Sequence, residues 1–373
     1  MQAALSAAKE TAVIRITVLA WLAAKFISWR LWLPYRLFPT LPVFHFLDFP
    51  DFSHTILAIA SVVMMVLVLV FPARRYLLWI VVVFEVLSCL LDVMRWQPWQ
   101  YQFMLTFVLF CLAGDQPKRF LSSFGFLLCA TYLYSALHKF SDAFLQDVWL
   151  GFLLKGFGLS ESFGQSAVVY YSGYVMGVVE LAIGLGLLLA KNKKPFVWLC
   201  IAMHVGILLA LGPIGIDANA VVWPWNVAMA AMVWVVFFDN GVSFSVDFMK
   251  PLFHKVVVVW LGMLPALNFI GLWDDYLSFA MYAGGNEKML ICFENDKLPA
   301  ALQKYKTAPF CGDDETTISI TKWSFKELEV PVYPEERAYR AIKKRYTQIH
   351  PGTADRFIIY DFPYRREDVR AVE

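Results

Sequence analysis

The sequence predicts an all-α polytopic membrane helical bundle over residues 1–272, followed by a small polar α+β domain over 273–373. Three observations carry that prediction. Hydrophobic residues fill 59% of the 373 positions and charged residues only 17%, against roughly 45–50% apolar in a soluble domain. About nine stretches approach the ~20 apolar residues that a membrane-crossing helix needs. The charge is displaced towards one end, since the last hundred residues hold 15 of the 32 Lys/Arg and 17 of the 30 Asp/Glu. A first part so apolar cannot stand in water as a domain of its own.

The expected spans are 11–29, 54–71, 77–94, 99–113, 119–138, 167–190, 195–212, 219–238 and 254–272. Arg15 and Lys25 interrupt the first, which reads as a retained helix rather than a cleaved signal peptide. Residues 139–166 are amphipathic (Phe144, Leu145, Val148, Trp149, Phe152, Leu153) and fit a segment lying along the interface. Arg74/Arg75, Lys118/Arg119, Lys191/Lys193/Lys194 and Lys250/Lys255 occupy alternate loops, which the positive-inside rule makes cytoplasmic, and Lys9 puts the N-terminus with them. Arg30 and Arg36 run against the rule. An odd number of spans sends the C-terminal domain outside. The expected location is a cell membrane of the bacterial inner type, with that domain extracytoplasmic.

In the polar tail, 288–296, 316–323 and 356–362 have the alternation of strands, while 299–306 and 334–349 have helical patterning. Cys89, Cys111, Cys129 and Cys200 lie in apolar runs and behave as small hydrophobes. Cys292 and Cys311 lie in the tail, and pair as a disulfide if the tail is exported or stay a reduced, buried pair if it is not.

Soluble-enzyme motifs are missing: no phosphate-binding glycine loop, dinucleotide fingerprint, HExxH or GxSxG occurs. A net charge of +2 with no basic stripe gives nucleic acid nothing to bind. The six histidines are scattered, so no metal-ligand spacing is present. Attention falls instead on ionisable groups inside the apolar runs, which are costly there. Glu85, Glu180 and His204 sit near the middles of their spans. A carboxyl beside an imidazole can share a proton, and the same groups can equally hold helices together by hydrogen bonds. Asp92 and Arg95 close the third span. Lys139 follows a span ending in Tyr132, Tyr134, Ser135, Leu137 and His138; desolvation there favours a neutral amine able to act as base, whereas ordinary snorkelling makes it an anchor. Four loops on the same side (29–52, 92–102, 137–144, 212–226), rich in aromatics, are interfacial belts or the walls of a shared cavity.

Three segments carry a resemblance: 91-LDVMRWQPWQYQ-102, 132-YLYSALHKFSDAFL-145, and Glu180, Leu181 and Gly184 followed by a span with His204. Over roughly residues 10–240 the chain resembles the membrane region of the vitamin K-dependent γ-carboxylases and their wider relatives, the horizontally transferred transmembrane domain family. The resemblance implies that Lys139 matches the lysine these enzymes use as the base that starts oxygenation of reduced vitamin K. His138 replaces a neighbouring lysine, and Trp99 stands where the family has a histidine. The runs Trp223 to Asn226 and Tyr276 to Asn286 are similar to uncharacterised bacterial DoxX-like membrane proteins.

Together these readings predict a redox or carboxylase-like membrane enzyme for a quinone-type or other lipid-soluble substrate. Lys139 is the expected base, with His138, Asp92, Trp96, Trp99 and Tyr101 around the substrate and Glu180 and His204 as a deeper pair. The alternatives are a noncatalytic membrane subunit presenting its outer domain to protein partners, and a transporter, for which inverted repeats are not evident.

Overall fold

The computed structural model describes residues 2–294, 297–308, 310–312, 315–364 and 368–372. Every expected span coincides with a helix: α1 (Gln2–Ile27), α2 (Asp51–Val70), α3 (Arg75–Leu91), α4 (Pro98–Ala113), α5 (Pro117–Leu137), α6 (Phe144–Leu154, with π geometry), α7 (Ala167–Leu189), α8 (Lys194–Leu211), α9 (Ala220–Phe237) and α10 (Leu252–Ile270), where α6 comes from the amphipathic linker. Proline opens several of them. Pro98, Pro117 and Pro195 lie in first turns, as does Pro224 in the α-helical run Trp223–Phe237 of α9, where the missing N–H would have no intrahelical acceptor anyway.

Among the described residues six helices are long and apolar enough to cross a membrane by length and composition: α2, α5, α7, α8, α9 and α10. The expected count of nine is therefore not confirmed. Helices α3 and α4 have 17 and 16 residues, a rise of about 25 Å against a hydrocarbon core of about 30 Å. Helix α1 has 26 residues but includes Lys9, Glu10, Arg15 and Lys25.

The chain folds as two compact units, and the first comprises 1–24, 61–83 and 98–284. Helix α5 is its core: 78% of its apolar window is buried, against 22% for α8 and for α10. The outer helices thus turn apolar side chains such as Trp198, Val205 and Leu209 away from the protein, a surface that lipid solvates and water does not. Helix α7 approaches α5 closely because two glycines face it. A Cβ at Gly184 would stand 2.8 Å from Leu133 Cγ, and one at Gly177 would stand 3.4 Å from Lys139 Cβ. Glu180, three residues after Gly177 and four before Gly184, shares that face.

The base-rich loops meet at one end of this unit. Lys9 pairs with Asp239 at 2.6 Å and Arg75 with Asp115 at 2.8 Å, the Lys193 amide donates to Asn240 Oδ1 at 2.8 Å, and Arg119 lies over the Phe253 ring. The other end is built from 139–166, 212–219 and 276–284, where Asn219 bonds Tyr282 and the Trp149 indole donates to the Val169 carbonyl.

The second unit comprises 25–60, 84–97 and 285–373. Its sheet is antiparallel in the order β2-β1-β3-β4, with β1 (Lys288–Glu294), β2 (Glu315–Ser319), α11 (Ile320–Leu328), α12 (Glu336–Ile349), β3 (Arg356–Tyr360) and β4 (Val369–Ala371). Cys292 lies opposite Thr317 and Arg356 and is bonded to Cys311. The run expected as a strand over 316–323 leaves the sheet at Ser319. The Ser319 hydroxyl caps the Lys322 amide, and Ile320, Trp323, Ser324, Glu327 and Leu328 then form one buried helical face. Residues 295 and 296 of the first expected strand lie outside the described residues.

The N-terminal parts of this unit are held by buried charge. Glu327 accepts from the amides of Leu37 (2.6 Å) and Phe38 (2.9 Å) and from the Trp323 indole (2.6 Å). Asp92 pairs with Arg36 and accepts from the amides of Leu41 and Met94. Arg95 donates to the carbonyls of Leu31 and Trp32 and meets His54 Nδ1 at 3.0 Å. Lys25 pairs with Glu85 at 3.0 Å and caps the face of Trp32. Glu85, expected near the middle of its span, is thus half of an ion pair.

Candidate functional site

Spacing on α5 sets up the site. Tyr132, Ser135 and Lys139 recur at three and four residues and so share one side of the helix and the turn that ends it. Lys139 lies just past the last turn, where helix carbonyls lack intrahelical partners. Its Nζ donates to Ser135 O (3.1 Å), Ser135 Oγ (2.7 Å), Glu180 Oε2 (2.8 Å) and Met281 O (3.3 Å). Four acceptors, one of them a carboxylate, face an ammonium that offers three donors. The other oxygen of Glu180 has no hydrogen-bond partner among the described residues.

A second chain of hydrogen bonds runs beside the first. Asn226 Nδ2 donates to the Val222 carbonyl at 2.9 Å, which leaves Oδ1 towards His204 Nδ1 at 2.8 Å. An amide oxygen only accepts, so Nδ1 carries the proton, and Nε2 of the neutral ring accepts from the Tyr132 hydroxyl at 2.7 Å. Cys200 Sγ lies 3.1 Å from the same hydroxyl.

Both chains border one cavity of about 450 Å³, walled otherwise by apolar side chains of α5 to α9 and the 276–284 loop. That volume lies within the ~300–1,000 Å³ usual for small-molecule sites, which pair apolar walls with a few placed polar groups. Trp149 and Phe152 of α6 and Tyr282 line its end. Burial pushes the Tyr282 phenol up to about 12, so it remains a hydroxyl across the physiological range.

Of the side chains selected from sequence, Lys139, Glu180 and His204 line this cavity. The expected Glu180–His204 pair is not formed, because Glu180 meets Lys139 and His204 meets Tyr132 and Asn226. His138 is not part of the lining; its ring stacks on Phe269 at 4.5 Å. Trp99 and Tyr101 pack within the first unit against Phe103 and Phe279. Asp92 and Trp96 belong to the second unit, where Asp92 is occupied by Arg36 and two backbone amides. Sequence reasoning missed Ser135, Cys200 and Asn226 as site residues and took Tyr132 only as aromatic context. The i, i+3, i+7 spacing of Tyr132, Ser135 and Lys139 was the signal available. Among the described residues no three His, Cys, Asp or Glu side chains are grouped to hold a metal ion.

The second chain can be tested directly. His204→Leu strands the Asn226 carbonyl and removes the acceptor of the Tyr132 hydroxyl, an expected loss of about 1–3 kcal/mol. Tyr132→Phe combined with His204→Leu should cost less than the two single losses added. Thermal unfolding in mild detergent measures this, and additive losses would show the groups to be uncoupled.

No family model, curated protein or solved structure matches the chain.

Proposed function

We propose that the protein is a multi-pass membrane enzyme that binds a quinone-type or other lipid-soluble molecule in the α5–α9 cavity and moves a proton at its polar head. The observation that carries this reading is one apolar chamber bordered by both the Lys139–Glu180 pair and the Tyr132–His204–Asn226 chain. Glu180, through its unpartnered oxygen, takes a proton from a ring hydroxyl of the ligand in its reduced, quinol form. The oxyanion left behind faces the Lys139 ammonium, whose charge is worth most where water is excluded. Lys139 then works as a cation rather than as the base; its four acceptors favour that role. The resemblance of 132–145 to the γ-carboxylases supports the same ligand class, since that segment supplies Tyr132, Ser135 and Lys139.

The test is saturable binding of a benzoquinone with an isoprenoid tail to protein in lipid nanodiscs, with extraction and mass spectrometry of small molecules that copurify. One ligand per chain is expected, with Lys139→Met weakening binding at least tenfold. No saturable binding, together with a stoichiometric copurifying protein, would leave the noncatalytic membrane subunit as the better reading.

The orientation follows the same membrane logic. Convergence of the basic loops at one end of the first unit supports a cytoplasmic face there, and the Cys292–Cys311 bond supports an extracytoplasmic C-terminal domain. Cysteines introduced at Asn192 and Gln348, in a background retaining only Cys292 and Cys311, should label with impermeant reagent from opposite sides. Labelling of both from one side would overturn the orientation.

A further inference from the structure

The glycines of the helices around the cavity fall into two kinds. Gly177, Gly184 and Gly186 are filled in by neighbours: an added Cβ would come within 3.1, 2.8 and 2.1 Å of Phe140, Leu133 and Phe196. Gly206 is different. It lies two residues after His204 on α8 and lines the cavity, yet it is exposed, and a Cβ added there would meet nothing within 4 Å. Glycine inside a helix is unfavourable relative to alanine, and here no close-packed neighbour asks for it. Val175 on α7 repeats the pattern, lining the chamber while 59% exposed. Ala210, one turn beyond Gly206, is another small lining residue. The wall is therefore open between α7 and α8, on the apolar outer surface of two membrane-length helices.

We propose that this gap is a lateral portal to the bilayer, and that the ligand is a single-tailed amphiphile whose head sits at Lys139, Glu180 and Tyr132 while its tail passes Gly206 into the acyl chains. A chamber of about 450 Å³ accepts a ring-sized head, and the tail of a long-chain lipid has to leave it. The apolar rim lets the tail do so without crossing a polar surface, and the polar groups at the inner end fix which part enters first. This inference rests on reading the cavity as a binding site, and its test separates the two.

Gly206→Trp starts a large side chain from an exposed position where a Cβ meets nothing within 4 Å, so the variant is expected to fold, with abundance and thermal unfolding equal to wild type. Gly206→Leu fills the gap less, and Gly206→Ala leaves it open. The probes are a benzoquinone with a long isoprenoid tail and the same ring without a tail, titrated against protein in nanodiscs. Gly206→Trp should weaken binding of the tailed quinone at least tenfold and leave the bare ring within twofold; Gly206→Leu should fall between, and Gly206→Ala should match wild type. Equal affinities of wild type and Gly206→Trp for the tailed quinone would overturn the portal and leave the binding site standing. Loss of both probes in the tryptophan variant would show a filled chamber rather than a closed gate, and would equally overturn it. Failure of wild type to bind either probe would remove the binding site itself.

Discussion

Glu180→Leu is expected to destabilise the protein by about 3–5 kcal/mol, and Lys139→Met by a comparable amount, because each single change leaves one buried charge without its partner. Lys139 is 3% exposed and its carboxylate partner lies 2.8 Å away. The remaining acceptors around Nζ are a hydroxyl and two carbonyls, which cannot balance its charge. Lys139→Met with Glu180→Leu removes both charges and substitutes side chains of similar size, so most of the stability should return; replacing a buried ion pair by apolar groups is often neutral. Thermal unfolding of the four proteins in the same detergent gives the coupling. A double variant as unstable as the two losses added would show that the pair is not a unit. Binding should fail in all three variants, which separates what the pair does for the ligand from what it does for the fold.

Asp92→Leu is expected to cost about as much, again ~3–5 kcal/mol, with no effect on the cavity lining. Asp92 is fully buried, pairs with Arg36, lies 3.8 Å from Arg95, and accepts from the amides of Leu41 and Met94. Its removal strands the Arg36 guanidinium and uncaps the turn at Val93–Arg95. Asp92→Asn keeps a side-chain acceptor for the amides and loses the charge, so it should fall between wild type and the leucine variant. Unfolding in detergent, together with proteolysis at 29–50, measures both. An Asp92→Leu protein within about 0.5 kcal/mol of wild type would match an ordinary surface position and refute the assignment.

The helices were legible in the sequence, and the direction each polar group faces was not. Hydropathy locates the apolar stretches as helices and puts Glu180 and His204 at similar levels within them. It does not say which helix each polar group faces. Glu180 turns to Lys139 because Gly177 and Gly184 bring α7 against α5, a packing fact spread over about two helical turns. Asp92 has the sequence profile of a site residue, an acid between apolar runs and aromatics, but it holds loop backbone brought to it by Arg36. Length decided other points: α3 and α4 are apolar enough to be counted from sequence and too short to be counted from structure. Within the tail, the alternation of 316-TTISITKW-323 hid a change of period at Ser319, since the buried positions of a short strand and of a first helical turn overlap.

The two amides that Glu327 accepts belong to Leu37 and Phe38, separated from it by 290 and 289 residues. A ribosome adding about 5–20 residues per second leaves roughly 15–60 s between making the donors and making their acceptor. For that interval the 29–50 segment has been translated without the carboxylate that holds it, while helices α2 to α10 are produced in between. The order of synthesis therefore separates two stages of maturation: the first unit has all its chain by residue 284, whereas the second cannot close until its last strands emerge. Chains halted before Glu327 should carry the finished cavity together with an N-terminal loop still open to protease.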